Sequence, residues 1–458
     1  MDIIICGAGQ VGRNIAQQLA NEGNVVTVID KDADLIADIN NTLDVRALHG
    51  MASHPTMLEQ AGAENCDMLI AVTSTDEVNM IACQIARSIF EIPSRIARIR
   101  QPDYLQPVWK DLYRNEHLSI DTIISPELEV AEAIIRRLHV PGALDAVPFG
   151  DGEAQMLTIK CEEGCPLSNL PIKLVQERLV KNQVALLGLV QQGKFRIPTK
   201  LQMLSEHDVV YVVTEQRTLD RTLALFGHHE KEARRLVILG GGNIGLHVAQ
   251  KIEEQDAQVR ATLIELNRDR AEYIAHKLKR TDVIHGSGFD KEILSECDIE
   301  VADTLVAVTN DDKVNILASL LAKKLGCRRA ITLVNNSDYI PMVQDLDIDV
   351  VVNPRETTVS SILRHIRRGK INGVYSVMGG VAEIIEAELQ QHSQLAGKVM
   401  GSLNLPKTMH LGAILRNNRL ILPTEQDILH VHDDVIIVSM ADSIKHLERY
   451  FSPADHYF

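Results

Sequence analysis

Two glycine-rich segments of this chain have the residue types and spacing of a phosphate-binding turn. One reads GAGQVG at 7–12 and the other GGGNIG at 240–245. In such a turn the first glycine allows the bend, the second admits a pyrophosphate to the backbone, and the third lets helix and strand pack closely. Free N–H groups at the start of the next helix then face the phosphate. The residues expected to bind it are Gly7, Ala8, Gly9, Gln10, Val11, Gly240, Gly241, Gly242, Asn243 and Ile244.

A carboxylate follows each glycine segment at the end of the next apolar stretch. Asp30 ends the stretch VVTVID, 23 residues after Gly7. Glu265 ends ATLIE, 25 residues after Gly240. A carboxylate in this place can accept hydrogen bonds from both ribose hydroxyls and repels a 2′-phosphate. The combination therefore favours NAD or another adenosine ligand over NADP, and it occurs twice.

Two later loops carry side chains that could complete the same crevices. Thr73 and Ser74 follow the apolar stretch MLIAV. Thr309 and Asn310 follow TLVAV in the second half. Ligands of an open α/β sheet bind outside the carboxyl ends of its strands, where these residues would lie. The same residue types also serve as helix N-caps, so a ligand role and a capping role are both open.

Two arginines follow one another along an alternating segment, RIARIRQPDY. Arg98 and Arg100 are two positions apart and so share one face of a strand. One of them could enter the crevice and pair with phosphate oxygens, while solvation or an interface contact is the alternative. The aligned residues of the second half are Leu333 and Asn335. Arg13 also aligns with a leucine, so the first crevice is expected to be the more electropositive.

These residues need a strand, a tight turn and a helix to position them. Residues 3–5 are three isoleucines that form a short buried strand, and residues 11–19 have helical apolar spacing. The same order returns in the second half, where LVILGGGNIG at 236–245 repeats IIICGAGQVG at 3–12. Repeats of this kind decide the architecture of a chain.

The duplication extends to almost the whole chain. DMLIAVTSTDEVN at 67–79 recurs as DTLVAVTNDDKVN at 303–315, and later β-type stretches are also paired. The predicted fold class is α/β, with two Rossmann-like doubly wound parallel-sheet domains in tandem, each followed by a small α+β module. The predicted domains are a nucleotide-binding domain at 1–140, a small module at 141–227, a second nucleotide-binding domain at 234–371 and a second small module at 372–458.

Composition excludes several classes of protein. The net charge of −15 argues against nucleic acid as the main partner, because phosphate neutralisation needs a basic surface. Hydrophobic residues are 45% of the chain, so wholesale disorder is excluded, yet no apolar run approaches the roughly 20 residues of a membrane-spanning helix. Seven scattered cysteines make a disulfide framework unexpected and fit a reducing cytoplasm.

Enzymatic chemistry has little support. His49 and His285 recur, but each precedes a glycine at a strand end, where packing or shaping of an adenine pocket is favoured over acid–base work. Cys161 and Cys165 form a CxxxC that is absent from the second half, and a metal there would need two more ligands. We therefore expect neither catalytic residues nor a metal site. An NAD-dependent oxidoreductase and a regulator of a cation antiporter remain the alternatives.

The complete arrangement resembles the RCK family (regulator of potassium conductance, also called KTN). Within it, the chain is most similar to the cytoplasmic regulatory subunits of bacterial Trk potassium uptake systems. The resemblance covers nearly the whole chain and lies in the two glycine motifs, the two acids, the two AVT loops and the paired stretches HDVVYVVT and DDVIIVSM.

The resemblance implies a protein that is not an enzyme. It implies binding of NAD(H) and of ATP or ADP, and control of a separate membrane potassium-translocating subunit of the Trk system. It also implies a homotetramer ring, peripheral on the cytoplasmic face of the inner membrane. The helix after Pro126 or Pro354 would be the family's crossover helix, and Met51 and Ser287 depart from an acidic residue common in the family. The residues that match the family's nucleotide sites, besides those of the glycine turns, are Asp30, Thr73, Ser74, Arg98, Glu265, Thr309 and Asn310.

Overall fold

A computed structural model describes residues 1–114, 117–344, 346, 348–366 and 371–451. Contacts divide the chain into two compact units. The first contains Met1–Glu129 and Arg355–Arg367, and the second contains Val130–Pro354 and Arg368–Phe458. The four predicted domain boundaries do not follow this division and stay a prediction.

The first half begins with a parallel sheet of six strands covered by helices. Its strands are short and rich in β-branched residues that are buried on both faces, as parallel sheets require. The elements are β1 (Asp2–Cys6), α1 (Gln10–Asn21), β2 (Val25–Asp30), α2 (Ala33–Thr42), β3 (Arg46–His49), α3 (Pro55–Gln60), β4 (Met68–Ala71), α4 (Asp76–Ser88), β5 (Ser94–Arg98) and β6 (Thr122–Ile124). The strand order is β3-β2-β1-β4-β5-β6, so the direction of winding reverses between β1 and β4. That reversal opens a crevice at the carboxyl ends of these two strands.

A helix and an antiparallel module follow. The elements are α5 (Pro126–His139), β7 (Asp145–Phe149), β8 (Ala154–Lys160), α6 (Ile172–Val180), β9 (Ala185–Gln191), β10 (Lys194–Arg196), β11 (Val209–Glu215) and α7 (Leu219–Leu225). The five strands form an antiparallel sheet in the order β10-β9-β11-β8-β7.

The second half repeats both parts. Its parallel sheet has the elements β12 (Arg235–Leu239), α8 (Asn243–Gln255), β13 (Arg260–Glu265), α9 (Arg268–Lys277), β14 (Asp282–His285), α10 (Lys291–Glu296), β15 (Thr304–Ala307), α11 (Asp312–Leu325), β16 (Arg329–Leu333), α12 (Ile340–Gln344), β17 (Val350–Val352) and α13 (Pro354–Ile366). The order β14-β13-β12-β15-β16-β17 matches that of the first sheet strand for strand. The second antiparallel module has β18 (Ile371–Val377), β19 (Ala382–Glu388), β20 (Met409–Arg416), β21 (Arg419–Ile421), β22 (Asp434–Met440) and α14 (Ile444–Phe451). The predicted fold class is confirmed.

The helices α5 and α13 depart from a simple tandem arrangement. Most of α5 belongs to the second unit, where its apolar face from Val130 to Leu138 shares a core with Leu236 and Ile238 of β12. Helix α13 belongs to the first unit, where Ser361 Oγ donates a hydrogen bond to Glu129 Oε1 over 3.1 Å. Each helix that follows a parallel sheet therefore groups with the sheet of the other half.

The two antiparallel modules pack against each other within the second unit. Met156 and Leu187 of the first module lie in one core with Ile384 and Leu415 of the second. Polar contacts cross the same interface, since Tyr375 Oη donates to Asp145 Oδ2 over 3.1 Å. The pairing buries an apolar sheet face of each module. Among the residues described, no helix is long and apolar enough to cross a membrane.

Candidate ligand-binding crevices

Each glycine turn occupies the reversal point of its sheet. Gly7 has φ +117° and Gly240 has φ +106°, a region that favours glycine. A Cβ at Gly7 would lie 2.9 Å from the Val72 carbonyl oxygen, and a Cβ at Gly240 would lie 3.0 Å from Thr309 N. Glycine is therefore needed at each position for two reasons: its backbone conformation and the close approach of the neighbouring loop.

The third residue of each turn has open space beside it. A Cβ at Gly9 or at Gly242 would meet no atom within 4 Å, so the backbone is open on that side. These two glycines are the N-caps of α1 and α8, and no side chain caps either helix. The first turns of both helices also lack acidic residues. Helix N–H groups without such caps can bind an anion, which is the role that the glycine spacing predicts for them.

The two acids turn back onto the glycine loops. Asp30 accepts a hydrogen bond from Ala8 N at 2.5 Å and another from Asp32 N at 2.9 Å. Glu265 accepts from Gly241 N at 2.7 Å and from Asn267 N at 2.8 Å. A carboxylate has about four lone-pair sites, so each acid can still accept from ribose hydroxyls. In each half, hydrogen bonds therefore fix the acid against the glycine turn.

The repeated histidines contact the backbone just beyond these acids. His49 Nε2 lies 3.0 Å from Lys31 O, and His285 Nε2 lies 3.1 Å from Leu266 O. Each ring thereby fixes the chain that leaves the acid-bearing strand. This geometry agrees with a packing role at the rim of the crevice.

The threonine loops are fastened to the helices that follow them. Thr73 N and Thr73 Oγ1 lie 2.9 Å and 2.7 Å from Asn79 Oδ1. The corresponding distances from Thr309 to Asn315 Oδ1 are 2.9 Å and 2.7 Å. The N-caps of α4 and α11 are Thr75 and Asp311, so the threonines at 73 and 309 are not caps. Ser74 and Asn310 follow them and are exposed to solvent.

The two buried asparagines were missed by the sequence analysis. Asn79 Nδ2 donates to Thr73 O and to Arg98 O, and thus ties the loop after β4 to the end of β5. Asn315 Nδ2 makes the same pair of bonds, to Thr309 O and Leu333 O. The signal was present in the repeated segments 67–79 and 303–315, both of which end in asparagine.

The two arginines of β5 and its loop have different surroundings. Arg100 Nε forms an ion pair with Glu127 Oε1 at 2.8 Å. Arg98 is half-buried, and its Nε has no hydrogen-bond partner in the described part of the chain. Burial, and then the charge of Arg100, lower the pKa of Arg98. Arg98 therefore has a buried Nε without a partner among the described residues, at the carboxyl end of β5.

The expected contrast in charge between the crevices needs a correction. Arg13 is neutralised by an ion pair with Asp38 and also donates to Thr42 Oγ1. In the second half, Arg270 Nε donates to Gly241 O over 2.8 Å, and its guanidinium lies 5.1 Å from the ring centre of Tyr273. Each crevice therefore has a cation, at the end of β5 in the first and beside the glycine turn in the second.

Each crevice combines an uncapped helix N-terminus with a carboxylate that is hydrogen-bonded to the glycine turn. In the first half, Arg98 lies at the end of β5 with a buried Nε that has no partner among the described residues. Within the described ranges, no group of three or more histidine, cysteine or acidic side chains is placed to hold a metal ion.

Comparison with known protein families gives matches in both halves. The model of the TrkA-N domain matches residues 3–126 and 236–354, and that of the TrkA-C domain matches residues 384–452. The Trk system potassium uptake protein TrkA of Azorhizobium caulinodans is 43% identical over 100% of both chains. The protein of the same name from Halomonas elongata is 39% identical over 96% of this chain and 94% of its own.

Solved structures show the same fold. The chain is similar to the GsuK RCK domain, with a TM-score of 0.59 and 16% identity over 98% of this chain and 94% of that one. It is also similar to the GsuK channel bound to NAD, with a TM-score of 0.60 and 17% identity over 98% of this chain and 78% of that one. At this level of identity the likeness establishes the fold alone.

Proposed function

Since this chain belongs to the TrkA family of Trk system potassium uptake proteins, we propose that it is a nucleotide-binding regulatory subunit. Its ligands would be NAD(H) and ATP or ADP, held in the two crevices. Its partner would be the membrane potassium-translocating subunit of the Trk system, which it gates from the cytoplasmic face of the inner membrane. Occupancy would be converted into movement and not into chemistry.

The proposal rests above all on the contact between the acid and the second residue of each glycine turn. The bonds of Ala8 N to Asp30 and of Gly241 N to Glu265 hold the carboxylate that we propose for the ribose beside the turn. The helix N–H groups that we propose for the phosphate begin at the same turn. The two acids also favour a free 2′-hydroxyl, and hence NAD(H) over NADP(H). The similar GsuK channel has been solved with NAD bound, which supports this ligand class.

The threonine loops would respond to the ligand. Thr73 and Thr309 lie against the first glycine of their turns, and Asn79 and Asn315 connect them to the neighbouring strands. A phosphate between turn and loop would be held by the helix N–H groups and, in the first crevice, by Arg98. The binding residues we propose are those predicted from the sequence. They are Gly7, Ala8, Gly9, Gln10, Val11, Asp30, Thr73, Ser74, Arg98, Gly240, Gly241, Gly242, Asn243, Ile244, Glu265, Thr309 and Asn310.

Gating requires more free energy than one site supplies. Moving a two-state equilibrium from about 1:99 to 99:1 takes about 5.5 kcal/mol. The coupling of a single site is typically about 1–3 kcal/mol. We therefore propose that several crevices act together in a symmetric ring of four chains. Potassium flux through the reconstituted complex would then depend cooperatively on nucleotide concentration, and a non-cooperative response would contradict the ring mechanism.

Calorimetric titration tests the ligand class directly. NADH, NAD, ATP and ADP are titrated into the wild type, Asp30→Ala and Glu265→Ala, with Asp44→Ala as the control at an exposed acid of the first half. We expect two sites per chain in the wild type and in the control, and the loss of a different site in each crevice variant. A wild-type chain that binds none of these nucleotides, or that steadily oxidises NADH with a metabolite, contradicts the proposal.

A further inference from the structure

Two cysteines at the end of β8 are close together in a buried turn. Cys161 is fully buried and Cys165 is 5% exposed, and both belong to one core cluster of the first antiparallel module. The turn between them is closed by a hydrogen bond from Cys165 N to Glu162 O at 3.1 Å. The other thiol of the pair is the largest influence on the pKa of each of these two cysteines. The nucleotide crevices make no use of this pair.

A histidine of the segment between the two halves lies beside the same turn. His228 Nε2 is 3.0 Å from Lys160 O, and His228 Nδ1 is 3.1 Å from Glu230 Oε1. Burial disfavours the charged ring, but the bonds to Glu230 and to the Lys160 carbonyl outweigh it and raise the pKa of His228. These bonds favour the charged form of the ring next to the cysteine turn.

Cys165 has the surroundings of a reactive thiol. The hydrogen bond from Cys161 lowers the pKa of Cys165 and outweighs burial, with further help from the N–H groups of Leu167 and Ser168 and from the charge of His228. The thiolate is the nucleophilic form of cysteine. The remaining cysteines differ, because burial raises the pKa of each one: Cys6, Cys66, Cys83, Cys297 and Cys327.

The second antiparallel module has the same turn without the thiols. Leu389 and Ser393 stand at the corresponding positions after β19. Ser393 N donates to Gln390 O over 2.9 Å, which is the bond that closes the cysteine turn in the first module. The turn therefore folds without cysteine, and the pair is an addition to it.

We propose that Cys161 and Cys165 form a peroxide-responsive dithiol that closes to a disulfide. The Cys165 thiolate attacks one oxygen of hydrogen peroxide, so that an S–O bond forms, the O–O bond breaks and hydroxide leaves to become water. The sulfur of Cys161 then attacks the resulting sulfenic acid, so that an S–S bond forms, the S–O bond breaks and a second water leaves with the Cys161 proton. The two thiols are oxidised by two electrons and the peroxide is reduced to two waters.

The position of the pair suggests both its selectivity and its effect. The small exposed area of Cys165 admits a molecule of the size of water more readily than a bulky disulfide such as oxidised glutathione. Lys160, the residue before Cys161, is bonded to His228 at the start of the segment that leads to β12. We expect closure of the disulfide to alter the chain next to this attachment.

Mass spectrometry of the full-length, reduced protein tests the proposal. Hydrogen peroxide should remove two hydrogens (about 2 Da) from the wild type and join the peptides of Cys161 and Cys165. Cys165→Ser, which introduces the residue found at 393, should stay unoxidised at Cys161. Cys161→Ser should stop at a sulfenic acid on Cys165 that dimedone traps. Cys83→Ser should behave as the wild type.

Other outcomes would overturn the proposal. One is oxidation of all seven cysteines at similar rates, and another is a Cys165 that stays reduced at doses that already modify Cys66. Faster closure with oxidised glutathione than with peroxide would refute the size selection. Thermal unfolding of both serine variants is compared with that of the wild type, so that a missing disulfide can be distinguished from misfolding.

Discussion

The same set of hydrogen bonds shapes each of the two crevices, but the crevices differ in their positively charged side chains. The acid-to-turn contact and the asparagine-to-threonine contacts recur in both halves with nearly equal distances. The cations do not recur. Arg98 stands where the second half has the buried Leu333, and Arg270 stands where the first half has Leu35. The two halves therefore differ in their cations and keep the hydrogen bonds that shape the crevice.

The antiparallel modules show the same division between scaffold and added chemistry. Their sheets have equivalent strand orders, and they bury their faces against each other. Yet Glu386 of the second module corresponds to Thr158 of the first, and the dithiol of the first corresponds to Leu389 and Ser393. The two copies of one architecture thus carry different reactive side chains at corresponding positions.

The largest expected effect comes from removing the shared scaffold. Asn79→Ala and Asn315→Ala each delete four hydrogen bonds and leave buried backbone groups unpaired. At about 1–3 kcal/mol for each unsatisfied buried group, each variant should lower the free energy of unfolding by about 4 kcal/mol. Chemical denaturation measures this, with the exposed Asn41→Ala as the control. If only one of the two asparagines matters, the scaffolds are not equivalent.

Much of this scaffold was predictable because it repeats in sequence. The strand, glycine turn, helix and acid of each half have fixed spacing, so the crevice and its residues followed from Gly7, Asp30, Gly240 and Glu265. The recurrence of segment 67–79 at 303–315 also predicted the threonine loops. Local patterns of this kind specify local structure.

Partners across the structure were not predictable from such patterns. The ion pair of Arg13 with Asp38 joins two different helices, and Arg270 reaches its glycine turn from 29 residues away. In the sequence, Asn79 has no feature that separates it from other helix residues, because its role comes from its buried contacts with the loop. The sequence of α13 does not indicate that this helix groups with the first sheet, because an apolar helix face can pack against many partners.

A smaller effect should separate the cations of the two crevices. Arg98→Leu gives the first crevice the residue found at 333 and would remove the charge-assisted hydrogen bond that we propose between Arg98 and phosphate. Such a bond contributes about 1.5–3 kcal/mol, so ATP affinity of the first crevice should fall by about tenfold to a hundredfold. Calorimetry should show the second crevice unchanged.

Two further variants make this comparison sharper. Arg270→Leu should weaken only the second crevice, and the exposed Arg87→Leu should weaken neither. If Arg98→Leu leaves ATP binding intact, the unused donors of Arg98 serve another purpose than phosphate binding.

The smallest effect should distinguish the two antiparallel modules by their pH dependence. Burial, together with the nearby charges of Asp434 and Asp151, raises the pKa of Glu386 from 4.5 to about 7, although Gly150 N donates to its carboxylate. The folded state therefore holds this proton more tightly than the unfolded state. Its stabilising contribution is complete below about pH 4.5 and is lost as the pH rises through about 7.

Glu386→Gln isolates that contribution, because glutamine can still accept from Gly150 N but does not titrate. Between about pH 6 and pH 7.5, the free energy of unfolding of the wild type should fall by about 1 kcal/mol relative to the variant. Thr158→Val, at the corresponding position of the first module, should titrate in parallel with the wild type. Parallel profiles for the wild type and Glu386→Gln would mean that Glu386 is ionised in the folded interface and that the two modules do not differ in this respect.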